Sequence, residues 1–190
     1  MSREFYESYG LDYTLTLISP ASGNSLVINL LVIELNMFED MFGPFMRMEV
    51  TLNDAMGLLD KFPLVGDEIL DFRYKNPNDQ ELSQTFQVYR VTNRQGIKAR
   101  QQVFSIHAIS EPGFRNTFEY VYKPYIEKRP DEIVKDVFDN YIKKGSKALF
   151  IPEVCNNKYT KVATGQNPFQ LINQIAKESR STKYSDPSSY

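Results

Sequence analysis

The sequence has no tryptophan, one cysteine and one histidine. A single thiol, Cys155, forms no intrachain disulfide and no thiolate metal cage, which predicts folding in a reducing compartment. A single imidazole, His107, leaves nucleophilic catalysis little to build on, because a nucleophile needs a base beside it. The most apolar stretch, Leu26 to Ile33, is broken by Asn29 and falls far short of the ~20 residues of a membrane span. Met1 to Phe5 lacks the basic-then-apolar pattern of a secretory leader. These absences predict a soluble protein made in the cytoplasm, with no membrane insertion. The formal net charge of −2 supplies no global positive field for nucleic acid, although it leaves room for a local basic lining.

Aromatic residues are plentiful. Thirteen Phe and twelve Tyr in 190 residues need many packed surfaces, a load that suits strands and protein–protein contacts. A chain of this length makes one domain or two small ones. Hydrophobic residues at 42% and charged residues at 24% are ordinary for a globular protein and unlike a disordered one.

The first part of the chain alternates with the period of strands. Leu11, Tyr13, Leu15 and Leu17 share one face, with Asp12, Thr14 and Thr16 opposite. Met46, Met48, Val50 and Leu52 alternate with Arg47, Glu49, Thr51 and Asn53. The run Leu26 to Leu35 reads as a strand covered on both faces. Further strands are predicted at Glu68 to Tyr74, Thr85 to Thr92 and Gln102 to Ile109, the last two joined by a turn at Asn93-Arg94-Gln95-Gly96. Residues 54–61 suggest a short helical insert. Six strands with short loops predict an antiparallel barrel over residues 1–110.

The pattern changes at Pro112-Gly113. Pro130 in a first helical position, Asp131 and Glu132 in the first turn, and a stripe of Ile133, Val134, Val137, Phe138, Tyr141 and Ile142 predict a helix. Lys143 and Lys144 suit its negative end, and Gly145 its left-handed stop. A second helix is predicted from Asn167, with Pro168 in first position and Gln170 placed to close a capping box. Its buried face is Phe169, Leu171, Ile172, Ile175 and Ala176. Leu149 to Val154 reads as a short strand, and Ser179 to Tyr190 as a polar end without a packing face. The fold class expected is α+β: an antiparallel β-barrel tube domain, 1–110, followed by a smaller α/β domain with two helices, 111–190, read as the truncated start of an inserted domain.

No catalytic, cofactor or metal residue is nominated. There is no P-loop, dinucleotide glycine fingerprint, zinc spacing or nucleophile elbow. His107 lies on a predicted strand, opposite the face of Phe104, Ile106 and Ala108, and reads as a packed or surface histidine. Cys155 reads as an inert thiol. The acidic neighbours Glu39-Asp40, Asp67-Glu68 and Asp131-Glu132 read as solvated charge, with Asp131-Glu132 explained by its helix start. Basic residues gather at Arg90, Arg94, Lys98 and Arg100 around the last hairpin, and again at Lys123, Lys128 and Arg129. The hairpin group is either a solvated tip or an interface or channel rim that meets acidic partners or passing DNA phosphates. No aromatic interleaving there supports single-strand recognition.

The order of elements carries more than any one residue. A strand-rich opening ends in Phe104-Ser105-Ile106-His107-Ala108-Ile109-Ser110-Glu111. An aromatic and Pro-containing segment, Phe118 to Pro124, precedes the helix Asp131 to Tyr141. A strand-like stretch to Val154 then leads to Asn167-Pro168-Phe169-Gln170-Leu171-Ile172-Asn173. Over roughly residues 10–180 this order resembles the baseplate hub proteins of contractile-tailed phages and the related spike proteins of type VI secretion systems. The resemblance implies a structural virion protein, not an enzyme, located in the tail baseplate. It implies a homotrimeric ring of pseudo-sixfold symmetry, with two barrels per subunit, the second being absent here. Such a ring joins the tail tube to the central spike and lines the DNA channel. The implied partners are further copies, the tail-tube protein, the central spike protein and other baseplate proteins, with non-specific passage of DNA and no cofactor. The alternatives are a tube-end adaptor, a secretion-system spike component, a wall-degrading hydrolase or a small-ligand barrel.

Overall fold

The computed structural model describes residues 13–40, 43, 45–55, 57–58, 62, 64–75, 80–98, 101–143 and 151–183. The chain forms two compact units. One comprises Met1–Asp40 and Met46–Ser110, the other Met41–Phe45 and Glu111–Tyr190.

The first unit is a sheet of seven strands: β1 (Tyr13–Ile18), β2 (Ser25–Val27), β3 (Val32–Phe38), β4 (Arg47–Asp54), β5 (Ile69–Lys75), β6 (Glu81–Lys98) and β7 (Gln101–Ser110). Their order is β2-β1-β5-β6-β7-β4-β3, and every pairing is antiparallel. The outermost strands, β2 and β3, are consecutive in sequence. In a flat sheet they would lie about 29 Å apart. The five residue steps from Val27 to Val32 reach about 18 Å at most. The sheet must therefore curl, and the 3₁₀ turn Asn29–Leu31 that links its ends touches both β1 and β4. The ladder is not closed, since β2 and β3 do not pair. The expected barrel is thus corrected to a curled half-barrel.

Alternation puts one side of this sheet inside. Leu15, Leu17, Met48, Val50, Leu52, Leu70, Phe72, Phe86, Val88, Phe104, Ile106 and Ala108 are all buried in one core, with Met46 and Tyr74 half-buried against it. Arg47 stays exposed. The period-2 reading of β1, β4, β5 and β7 holds; Leu11 and Asp12 lie outside the described residues.

Two expectations in this unit are corrected. The run Leu26 to Leu35 is not one covered strand: it bends at Asn29, and Leu26, Val27, Leu30 and Ile33 are exposed along the sheet edges. The bend has a specific cause. The Asn29 side chain accepts from Leu15 N (2.8 Å) and donates to Tyr13 O (2.7 Å). It thereby supplies β1 with the two hydrogen bonds a continuing strand would have made. Second, Asn93 to Gly96 is not the hairpin turn. These residues lie inside the 18-residue β6, and Gln95 and Gly96 face Val103 and Gln102 of β7. Asn93 takes φ 56°, which absorbs the register shift between Thr92 and Gln95. The same left-handed chemistry that makes turns also makes bulges. Of the suspected helical insert, Asp54 belongs to β4, Leu58 is helical and buried, and most of 56–61 lies outside the described residues.

The second unit pairs β8 (Val121–Lys128) with β9 (Tyr159–Gln166) and, among the described residues, contains three helices. These are α1 (Glu111–Phe118), α2 (Pro130–Val137, extended by a π-type turn over Phe138–Ile142) and α3 (Pro168–Glu178). Val121, Tyr125, Ile133, Val134, Val137, Ala163, Leu171 and Ile175 form its core. Helix α1 is additional to the two helices expected. The strand lies at 159–166, whereas 151–154 is irregular and 149–150 is outside the described residues, as are Lys144 and Gly145. The capping box at Asn167 does not form. Its side chain instead donates to the Asn116 and Glu119 carbonyls (2.7 and 3.3 Å), while Phe169 N donates to Asn116 Oδ1 (2.9 Å). Ser181, expected in a polar end without packing, is buried and donates to Glu153 Oε1 (2.6 Å).

Candidate assembly interface

The groups that sequence weighed for chemistry each contact neighbouring side chains or backbone. His107 is half-buried on β7. Its Nε2 shares a hydrogen bond with Thr92 Oγ1 (2.7 Å), Glu49 Oε2 stands 3.9 Å from Nδ1, and the Tyr89 ring is 6.3 Å away. Thr92 is the hydroxyl paired with the ring among the described contacts. The Cys155 thiol is pushed up, first by burial, and points at the Glu153 carbonyl (3.6 Å). No group of three or more potential metal ligands comes together among the described residues. No helix among them is long and apolar enough to cross a membrane.

The acidic neighbours are not uniformly solvated, contrary to the expectation from sequence. Glu68 is fully buried, and its two oxygens accept from Val65 N (2.6 Å) and Gly66 N (3.0 Å). Gly66, at φ 100°, permits this tight loop. Asp131 is also buried, accepting from Cys155 N (3.1 Å) and Arg129 (3.1 Å). Both carboxylates fasten backbone. Hydropathy alone cannot separate such a group from a surface charge, although glycine beside an acid is a usable signal. Glu132, at the surface, is held below the usual carboxylate range, first by the Arg129 backbone N–H.

What remains open is strand edge. Among the described residues, strand β3 pairs with β4 alone, and exposes Ile33, Met37 and Phe38. Strand β6 pairs with β5 only through Glu81–Gln87. Beyond Val88, whose N–H donates to Glu68 O (2.9 Å), β6 has β7 on one side and no described strand on the other. This overhang exposes Tyr89, Val91 and Ile97. Open edges with exposed apolar side chains are templates for pairing with another chain.

The basic hairpin group falls on the overhang. Arg90 and Arg94 are exposed; Arg90 faces His107 across the ladder and Arg94 Nε donates to Gln102 Oε1 (2.8 Å). Lys98 ends β6, and Arg100 lies outside the described residues. The other basic group is engaged internally: Lys123 pairs with Asp136 (2.8 Å), and Arg129 with Asp131 (3.1 Å) and Glu132 (3.5 Å). Only Lys128 of that group is left exposed at the end of β8.

A curled antiparallel sheet followed by a helix-rich unit is an architecture already seen in tail and spike proteins. The tail protein from Neisseria meningitidis MC58 matches with a TM-score of 0.55 and 12% identity, over 86% of this chain and 44% of that one. The 43 kDa tail protein of prophage MuSo2 from Shewanella oneidensis matches at 0.59 and 10% identity, over 87% and 49%. A chain of the half-lidded Francisella PdpA–VgrG complex matches at 0.50 and 13% identity, over 90% and 28%. The chain thus spans less than half the length of these proteins, and shares their fold. No protein-family description and no curated protein matches the sequence. The resemblance drawn from element order is met at the level of fold.

Proposed function

We propose that this chain is a structural part of a phage tail baseplate hub, in which a homotrimeric ring joins the tail tube to the central spike and surrounds the DNA channel. The observation that carries the reading is the fold held in common with two phage-type tail proteins over more than 85% of the chain. The open edges of β3 and β6 support it, because an assembling ring covers edges that a monomer leaves exposed. In this reading the chain works by holding position, without catalysis. Arg90, Arg94, Lys98 and Arg100 lie at a subunit boundary or at the channel rim, where charge sets register and orientation. Tail-tube, spike and other baseplate proteins are its neighbours, and DNA passes without specific contact.

The VgrG match favours one second reading, a secretion-system spike component. Electron microscopy of the assembled particle separates the two. Three copies on the tail axis between tube and spike, with interfaces above the ~1,000 Å² of specific contacts, support the hub. A monomer on the capsid, or six equivalent copies without a second barrel, overturns it, and six copies favour a tube-end adaptor.

A further inference from the structure

We propose that the second unit carries a docking pocket for a segment of a partner protein, one that presents an aliphatic side chain with a lysine beside it. This goes beyond the hub reading and does not depend on it. Between α2, α3 and the segment 151–155 lies a cavity of about 350 Å³. Pockets that hold ligands run from roughly 300 to 1,000 Å³. Its floor is apolar: Val134 of α2 and Ile175 of α3 are buried, and Ile172 and Ala176 of α3 are half-buried beside them. Its rim is Ile151, which is 80% exposed, and the exposed Glu153.

The rim is held in place before any guest arrives. Cys155 N donates to Asp131 Oδ1 (3.1 Å), Asn156 N to Arg180 O (3.1 Å) and Thr182 N to Val154 O (3.1 Å). The buried Ser181 hydroxyl donates to Glu153 Oε1 (2.6 Å) and so aims that carboxylate. A pocket fixed in this way loses little conformational freedom on binding.

Charge selects the guest. Two carboxylates line the cavity, with no Lys or Arg among its described lining residues. Asp131 is already satisfied, its Oδ1 by Cys155 N and its Oδ2 by the Arg129 guanidinium (3.1 Å). Glu153 is not: Oε1 accepts from Ser181, while Oε2 has no hydrogen-bond or ion-pair partner among the described residues. A cation arriving at the rim gains a charged hydrogen bond, and an anion meets repulsion. The aliphatic floor takes an apolar side chain, and a lysine stem covers Ile151 while its ammonium reaches Glu153. Apolar exposure continues outside the cavity, at Ile151 and Val154. That continuation suits an anchor presented on a polypeptide surface better than a small molecule enclosed on all sides.

The test uses the full chain and two probes, acetyl-Leu-Lys-amide and acetyl-Leu-Glu-amide. Cys155 lines the same cavity and is the sole thiol of the chain, so occupancy is read as its protection from N-ethylmaleimide. Methyl resonances of Ile151, Ile172 and Ile175 read occupancy independently. The Lys probe is expected to slow alkylation and to shift these methyls saturably, and the Glu probe to do neither. Glu153→Gln keeps an oxygen for the Ser181 hydroxyl but removes the charge, and should weaken the Lys probe roughly tenfold. Ala176→Leu fills the cavity with a good helix former and should abolish binding, with circular dichroism verifying the fold. No saturable effect of the Lys probe overturns the proposal, as does equal binding of the Glu probe or undiminished binding to Glu153→Gln. None of these results touches the copy number on the tail axis, which the particle map decides for the hub reading.

Discussion

The two units hold themselves together by different means. The first is a sheet over a core of large aliphatic and aromatic side chains, including the fully buried Phe72, Phe86 and Phe104. The second has a smaller core and fastens its parts with charge: Asp136 receives Lys123 Nζ (2.8 Å), Tyr125 OH (2.9 Å) and Asn140 Nδ2 (3.0 Å). Apolar burial is non-directional and survives changes of pH and salt, whereas hydrogen-bonded charge does not. The first unit can therefore leave its strand edges open, because its stability does not reside there. In the second, Lys123, Arg129 and Lys161 already meet carboxylates.

The largest effect expected is on the core of the first unit. Phe72→Ala should cost about 4 kcal/mol, and Ile133→Ala in the second unit about 3. Hydrogen exchange during urea titration, followed peptide by peptide, reads each unit separately. A Phe72→Ala loss below about 1 kcal/mol would show that the sheet's interior tolerates a cavity and that its core is not what holds it. Phe138, half-exposed at the π-type turn, should lose less than Ile133 on truncation.

Next comes Asn29→Leu, which removes the donor and the acceptor that satisfy Tyr13 O and Leu15 N. About 2–3 kcal/mol should be lost from the first unit as two backbone groups go unpaired. Asn29→Asp keeps the acceptor and should cost about half as much. Equal effects for both would mean that the amide is not acting as a surrogate strand.

Alkaline titration sharpens the contrast further. Burial first, and then Asp136, holds the Tyr125 hydroxyl far above the ordinary tyrosine value, and burial followed by Glu178 does so for Tyr159. A raised folded value gives stability that is whole below the unfolded value near 10 and is lost as pH rises beyond it. The second unit should therefore weaken above about pH 10, and Tyr125→Phe should reduce that dependence. An unchanged slope in Tyr125→Phe refutes the assignment.

The smallest effect is Asp136→Asn, about 1 kcal/mol, because Lys123 is partly exposed and screened. Its mark is a salt dependence of second-unit stability that disappears in the variant. Persistence of that dependence would place it elsewhere.

Legibility in the sequence followed the same division. Met46 to Leu52 could be read because one buried face imposes a period of two, and the α2 stripe because Pro130 and Ile133 to Val137 mark a start and a face. Strand β9 could not: Tyr159 to Gln166 buries little beyond Ala163, so it carries almost no apolar signal. Helix α1 hid behind Pro112 and Gly113, which read as punctuation though Pro is tolerated in a first turn. Leu26 to Leu35 was legible as apolar but not as edge, since composition does not say whether a neighbouring strand arrives. For the interface, the clustering of Arg90 and Arg94 is visible, but not that neither meets a carboxylate among the described residues. Asn29 reads in the sequence only as a break in an apolar run and Glu68 only as solvated charge, because their importance lies in which backbone groups they reach.

The pairing of β4 with β7 has a consequence for synthesis. Met46 N donates to Ser110 Oγ, 64 residues further along the chain. A ribosome adding roughly 5–20 residues per second needs on the order of several seconds to pass from the end of β4 to the end of β7. Throughout that interval β3 and β4 have emerged without the strand that completes their side of the sheet. Non-local ladders of this kind also close slowly, in about milliseconds to seconds once the chain is whole. The nascent chain therefore spends its early life with Met48, Val50 and Leu52 uncovered, and is the stage at which a chaperone has most to bind.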